Sequence, residues 1–112
     1  MGLSVKLTAF GVVAALTGCV EATKAVDDVA RRSAKAAVAE TLIIRFPLVT
    51  KTVVTPLTDC IIDNASGLEI GQFVKVDVVG SDDTTVALIS DILDRPATQQ
   101  CADKVSLAAL AG

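Results

Sequence analysis

The chain has 112 residues, a formal net charge of −3 and a hydrophobic fraction of 52%, which leaves room for one small domain with a thin margin of core. With no His, Trp or Tyr and only 3 Phe, it lacks the commonest general base and metal ligand and most platforms for base stacking, and its acidic balance argues against nucleic acid or anionic headgroups as partners. The mean hydropathy of +0.61 owes much to the amino-terminal segment and to alanine, so it does not itself predict a membrane span.

The chain begins with a short stretch bearing a single cation, Lys6, followed by an uncharged apolar run from Leu7 to Leu16 and then Thr17-Gly18-Cys19. That order predicts a secretory signal, because the run is about half the roughly 20 residues a helix needs to cross a bilayer. Leu16, Thr17, Gly18 and Cys19 resemble the bacterial lipobox, in which an aliphatic residue, a small residue and Gly or Ala precede Cys. The resemblance implies cleavage after Gly18, diacylglycerol on the Cys19 sulfur and acylation of the new amino group. Two or three acyl chains, at about 0.8 kcal/mol per buried CH₂, anchor stably where one is marginal. Residue 20 is Val, where Asp marks retention at the inner membrane in such lipoproteins, so the resemblance favours the outer membrane. The competing readings are an ordinary secretory signal with Cys19 as a spare thiol, or a short buried helix.

From Glu21 to Phe46 the positions Ala22, Val26, Val29, Ala30, Ala34, Ala37, Thr41 and Ile44 recur at three- and four-residue steps, which predicts one helix ending at Pro47. Asp27 with Arg31 and Asp28 with Arg32 are acid-before-base pairs at helical spacing, worth a few tenths of a kcal/mol each. An alanine-rich stripe beside the anchor suits a stalk, a partner-binding surface or the first helix of a bundle. Leu48 to Val54 is rich in Val and Thr and reads as an extended connector or short edge strand. Thr55-Pro56 marks a helix start, with Thr55 as N-cap and Pro56 first. Leu57, Cys60, Ile61 and Asn64 fall on one side of it, and Asp59 and Asp63 on another as a solvated acid pair.

Ser66-Gly67-Leu68-Glu69 fits a capping box and starts a third helix. Ile70, Phe73, Val74 and Val78 form its expected inward face, yet Val74, Val76 and Val78 alternating with Lys75 and Asp77 also suit a strand; Gly80 stops either one. Ser81, Asp82 and Asp83 bias the start of a fourth helix, whose buried stripe is Val86, Ile89, Ile92 and Leu93. Pro96 interrupts it and seeds a fifth helix through Leu110, with Cys101, Val105 and Ala108 on one side.

Assigning Cys19 to lipid leaves Cys60 and Cys101 of the 3 cysteines, an even pair in an exported chain, and predicts a disulfide. A loop of about 40 residues closed this way gains on the order of 4 kcal/mol by chain entropy. A redox or zinc role is the alternative, without Cys-x-x-Cys spacing or histidine to support it. The sequence thus predicts an all-α fold, a small bundle of four or five helices with one disulfide, preceded by a cleaved signal segment at 1–18; residues 19–112 form the mature lipid-anchored domain.

Chemistry beyond that is sparse. The Gly80–Asp83 run lacks the spaced acids and distal Glu of a calcium loop, and Gly67 and Gly71 lack a phosphate-loop pattern. Ser33, Lys35 and the aspartates have no motif placing one against another, so no catalytic residue, metal or cofactor is expected. Arg45-Phe46-Pro47, Thr55 to Asn64, Arg95-Pro96-Ala97-Thr98 and Cys101 together resemble a family of small proteobacterial lipoproteins without established activity. Some of its members carry a succinate dehydrogenase label, for which this chain has no flavin fingerprint, iron–sulfur cysteine cluster or haem-ligating His. The functional expectation is a structural or interaction protein of the cell envelope facing the periplasm, attached through acylated Cys19 and meeting an envelope protein partner. A helical binding module for a small apolar ligand or peptide is the alternative, and an unrecognised hydrolase a third.

Overall fold

A computed structural model describes residues 27–111; the expected signal segment, Cys19 and the first turns of the predicted first helix lie outside them. The described residues form five helices: α1 over residues 27–45, then α2 (Lys51–Asp63), α3 (Gly67–Val79), α4 (Asp83–Leu93) and α5 (Pro96–Ala111). No strand occurs among them.

α1 is helical because its alanines carry the best intrinsic propensity and its buried positions, Ala34, Ala37, Val38, Thr41 and Leu42, recur at three- and four-residue steps. Those residues sit in the common core with Leu57, Ile61, Ile62, Phe73, Ile89 and Ile92, so α1 is the first helix of the bundle. The last backbone bond, from the Phe46 amide to the Leu42 carbonyl at 3.1 Å, precedes Pro47, which has no amide to continue the ladder. The expected Asp27–Arg31 pair is replaced by a contact across helices: Arg31 meets Asp63 at 3.5 Å and Lys35 meets Asp59 at 3.0 Å. The order of these two rungs shows α1 and α2 antiparallel, and Asp59 and Asp63 are solvated as expected, their side chains 49% and 64% exposed, each paired with a cation of α1.

The second helix starts five residues earlier than Thr55-Pro56 predicts. Thr50, with φ −76° and ψ 154°, is its N-cap, and Pro56 lies inside it. The extended reading of Leu48 to Val54 fails because Val54, Leu57 and Ile61 make one buried stripe, and burial outweighs the modest cost of β-branched residues in a helix. Pro56 has no N–H, so the Thr52 carbonyl lacks its α-helical donor; Thr52 is exposed, where water can take that role.

The predicted capping box at α3 is present. The Ser66 hydroxyl accepts from the Glu69 amide at 3.2 Å and the Ser66 amide donates to Glu69 Oε1 at 2.8 Å, which resolves residues 70–79 as helix. Phe73 is fully buried, whereas Val78 is 83% exposed and does not belong to the inward face. At about 100° per residue, Val78 lies roughly 140° around the helix from Phe73. Gly80 ends α3 with φ 90° and ψ 161°, a region open essentially to glycine alone.

α4 begins at a second capping box, in which the Asp82 carboxylate accepts from the Thr85 amide and the Thr85 hydroxyl accepts from the Asp82 amide. Ile89 and Ile92 are buried, as expected, and Val86 and Leu93 are half-buried. Pro96 is the first residue of α5, where its missing amide costs nothing. Ala108, expected to face inward, is exposed. The bundle runs up and down through short connections, as in helical bundles generally.

Candidate functional site

Cys60 and Cys101 form the predicted disulfide, with their Cα atoms 5.7 Å apart. Cys60 is buried and Cys101 half-buried, so the bridge ties the core side of α2 to the edge of α5. It occupies two of the 3 cysteines, and the third, Cys19, lies outside the described residues.

The densest polar cluster was not legible in the sequence. Arg95, between α4 and α5, donates from Nη1 to Glu69 Oε1 at 2.9 Å and from Nη2 to Glu69 Oε2 at 2.6 Å, a bidentate fork of the strong, charge-assisted kind. The same guanidinium donates to the Asn64 carbonyl at 2.8 Å and to Asp91 at 3.1 Å. It therefore caps the end of α2, grips the start of α3 and closes the last turn of α4. The Glu69 side chain is only 15% exposed. The Arg95 hydrogen bonds, helped by the Ser66 amide and hydroxyl and opposed by desolvation, lower its pKa from 4.5 to about 2. Glu69 in turn raises the Arg95 pKa. Every side chain in the cluster is committed to another, so it is a structural clamp and holds no group ready to react with a substrate.

The Gly80–Asp83 run is a helix start rather than a cation loop. Asp82 is held below the usual carboxylate range, first by the Thr84 hydroxyl and then by the Thr85 amide, and Asp83 pairs with Arg45. Gly67 and Gly71 lie in α3. Ser33 donates to Asp77 at 2.9 Å and Lys35 pairs with Asp59, so these two candidates for chemistry are directed at different partners. Among the described residues, no cluster of three or more His, Cys, Asp or Glu is placed to hold a metal ion. Among them also, no helix is long and apolar enough to cross a membrane.

Two surfaces among the described residues bear on binding. One is a groove of about 450 Å³ between the start of α2 and the second half of α5, lined by Thr52, Pro56, Cys101, Lys104, Val105 and Ala108 among others. The second is a patchwork of exposed aliphatic side chains at the end of the bundle where α1 finishes and α4 begins, an end fixed by the Arg45–Asp83 pair. Ile43, Ile44 and Leu48 sit at the α1–α2 turn, Val78 and Val79 at the end of α3, and Leu107 and Leu110 late in α5. At the opposite end, where α1 starts and Arg95 binds, the only large exposed aliphatics among the described residues are Val29 and Leu68. The polarity of the two ends therefore differs, and the end remote from residue 27 is the apolar one. Large exposed apolar side chains concentrated toward one end make that end a candidate interaction site.

No family model, curated protein sequence or solved structure matches this chain.

Proposed function

We propose that this chain is a lipid-anchored protein of the cell envelope, held to a membrane through acylated Cys19 and facing the periplasm, with a structural or protein-interaction role. Residues 1–18 are the signal segment and residues 19–112 the mature domain; the outer membrane is favoured over the inner. The observation that carries this reading is the cysteine count. The bridge between Cys60 and Cys101 leaves Cys19, at the fourth position of the lipobox pattern Leu16-Thr17-Gly18-Cys19, as the one cysteine outside it. A disulfide is itself at home in an oxidising compartment. Residue 27, the first described residue, lies at the polar end of the bundle, so an anchor that holds the chain from that side leaves the aliphatic end for a protein partner.

Intact-mass measurement of the protein in the membrane fraction tests the anchor. The expected result is a mass lacking residues 1–18 and carrying acyl groups, abolished by Cys19→Ser. A full-length, unmodified chain that is fully reduced in the cytosol overturns it. Crosslinking in the cell, with variants carrying Asp at Ile44 and Val79, tests the partner surface: a specific adduct should disappear in those variants.

A second reading, a helical module for a small apolar ligand, is favoured by the α2–α5 groove, whose volume of about 450 Å³ lies within the roughly 300–1,000 Å³ range of small-molecule sites.

A further inference from the structure

The clefts of the bundle differ in the charges on their linings. The cleft between α3 and α4, about 360 Å³, carries both signs, Lys75 and Asp82, and the Asp82 carboxylate already accepts from the Thr85 amide. The cleft between α1 and α3 is lined by Arg31, whose guanidinium is paired with Asp63. The α2–α5 groove is different. Lys104 is the only ionisable side chain on its lining apart from the bridged Cys101, and among the described residues Lys104 joins no ion pair. The rest of the lining is Pro56, Val105, alanines and Thr52, and the Thr52 hydroxyl is shared with that of Thr50 at 3.2 Å.

We propose that this groove binds a free long-chain carboxylate, its alkyl chain laid along Pro56, Val105 and Ala108 and its head group against the Lys104 ammonium. The proposal rests on the second reading above and names its ligand class. Three features select this occupant. The groove's one charge is positive, in a chain whose net charge is −3, so the complementary ligand is a monoanion. Its walls are helices whose amides are bound within the helix, with the Thr52 carbonyl the one backbone group that Pro56 leaves without a helical donor, so an extended peptide laid in it would lose water from most of its own backbone groups without gaining partners. An alkyl chain has no such groups to satisfy. A volume of about 450 Å³ is near the low end of small-molecule sites and suits a single chain better than the paired chains of a phospholipid. The acyl groups of a lipoprotein anchor are esters and amides, without the anionic head that Lys104 would recognise.

The test uses isolated membranes containing the full chain and a photoreactive diazirine analogue of palmitic acid, compared with the methyl ester of the same probe. Labelling is mapped by mass spectrometry of the α5 peptide. The expected result is labelling at Val105 and Ala108 that is about tenfold stronger for the acid than for the ester, as a charge-assisted contact requires. Lys104→Met should bring the acid down to the ester's level and leave the ester unchanged. Ala108→Phe, at an exposed position where a larger side chain does not disturb the core, should remove labelling by both. Equal labelling by acid and ester that Ala108→Phe abolishes overturns the carboxylate assignment while keeping the apolar-ligand reading. Labelling that is absent, or indifferent to Ala108→Phe, overturns both.

Discussion

Replacing Arg95 with Met removes the bidentate contact to Glu69 and the donors to Asn64 and Asp91 while keeping an unbranched side chain of similar reach. Glu69 is then left 15% exposed with the Ser66 groups as its remaining partners. A pKa lowered from 4.5 to about 2 corresponds, at about 1.4 kcal/mol per unit, to an upper bound of about 3.5 kcal/mol. The Arg95 side chain is 35% exposed, and screening by water brings the expected loss to about 2 kcal/mol. A domain of this size responds with a fall in Tm of roughly 8–16 °C. The pH dependence has a definite sign. Because the folded-state pKa of Glu69 is depressed, its contribution is fully present above about 4.5 and is lost as pH falls toward 2. The wild type should therefore exceed Arg95→Met by about 2 kcal/mol at pH 7, and the two should converge between about pH 5 and 2. Urea unfolding followed by far-UV circular dichroism, with the disulfide intact, reads both quantities. A double-mutant cycle with Glu69→Gln, which retains the capping box, should return a coupling of at least about 1 kcal/mol. A gap that stays constant from pH 7 to pH 3, or a coupling near zero, would refute the clamp.

Three further perturbations follow from local geometry. Replacing both Cys60 and Cys101 with Ser opens a loop with sequence separation 41 and should cost about 4 kcal/mol, read as a fall in the urea midpoint relative to the oxidised wild type. Pro56→Ala restores an amide inside α2 that can donate to the Thr52 carbonyl, and should raise stability by about 1–3 kcal/mol; an unchanged Tm would mean the helix has already relaxed around the proline. Gly80→Ala forces a Cβ into φ 90°, ψ 161° and should cost about 1–3 kcal/mol, measured by thermal unfolding.

Legibility from sequence followed the range of the interaction. The starts of α3, α4 and α5 were readable because Ser66 with Glu69, the Ser81-Asp82-Asp83 run, and Pro96 act within a single turn. The bridge was readable from the even pair of cysteines that remains once Cys19 is set aside. The start of α2 was not, because Thr50 makes no side-chain cap bond and leaves no local mark, while Thr55-Pro56 imitates one. What decides that helix is the burial of Val54 beside Leu57 and Ile61, which only the tertiary fold reveals. The same holds for Arg95, whose partners Glu69 and Asn64 lie 26 and 31 residues away. Glu69 performs the local capping role that its spacing from Ser66 predicts, and nothing within a turn of it announces the second. The cross-helix choice of Arg31 for Asp63 over its own helix neighbour Asp27 is likewise set by how α1 packs on α2.

The two ends of the bundle differ in how they are held, and that asymmetry predicts where the fold opens first. At the end where α1 starts, Arg95 joins three helices and Arg31 meets Asp63. At the other end α2 lacks a side-chain cap, contains Pro56 and stands beside aliphatics exposed to water, including Leu48 at 95% and Leu110 at 86%. Local opening draws on regions with few buried contacts and many exposed backbone bonds. Hydrogen exchange should accordingly be fast in the first turn of α2, at Val78 and Val79 and in the last turn of α5, and slow around Ile61, Phe73 and Ile92. A partner or ligand bound at the apolar end would order those turns and slow their exchange selectively, whereas one bound at the polar end would leave them fast. The location of protection gained on adding a candidate partner thus identifies which end of the molecule does the binding, and uniform protection in the unliganded protein would show that the two ends do not differ in stability.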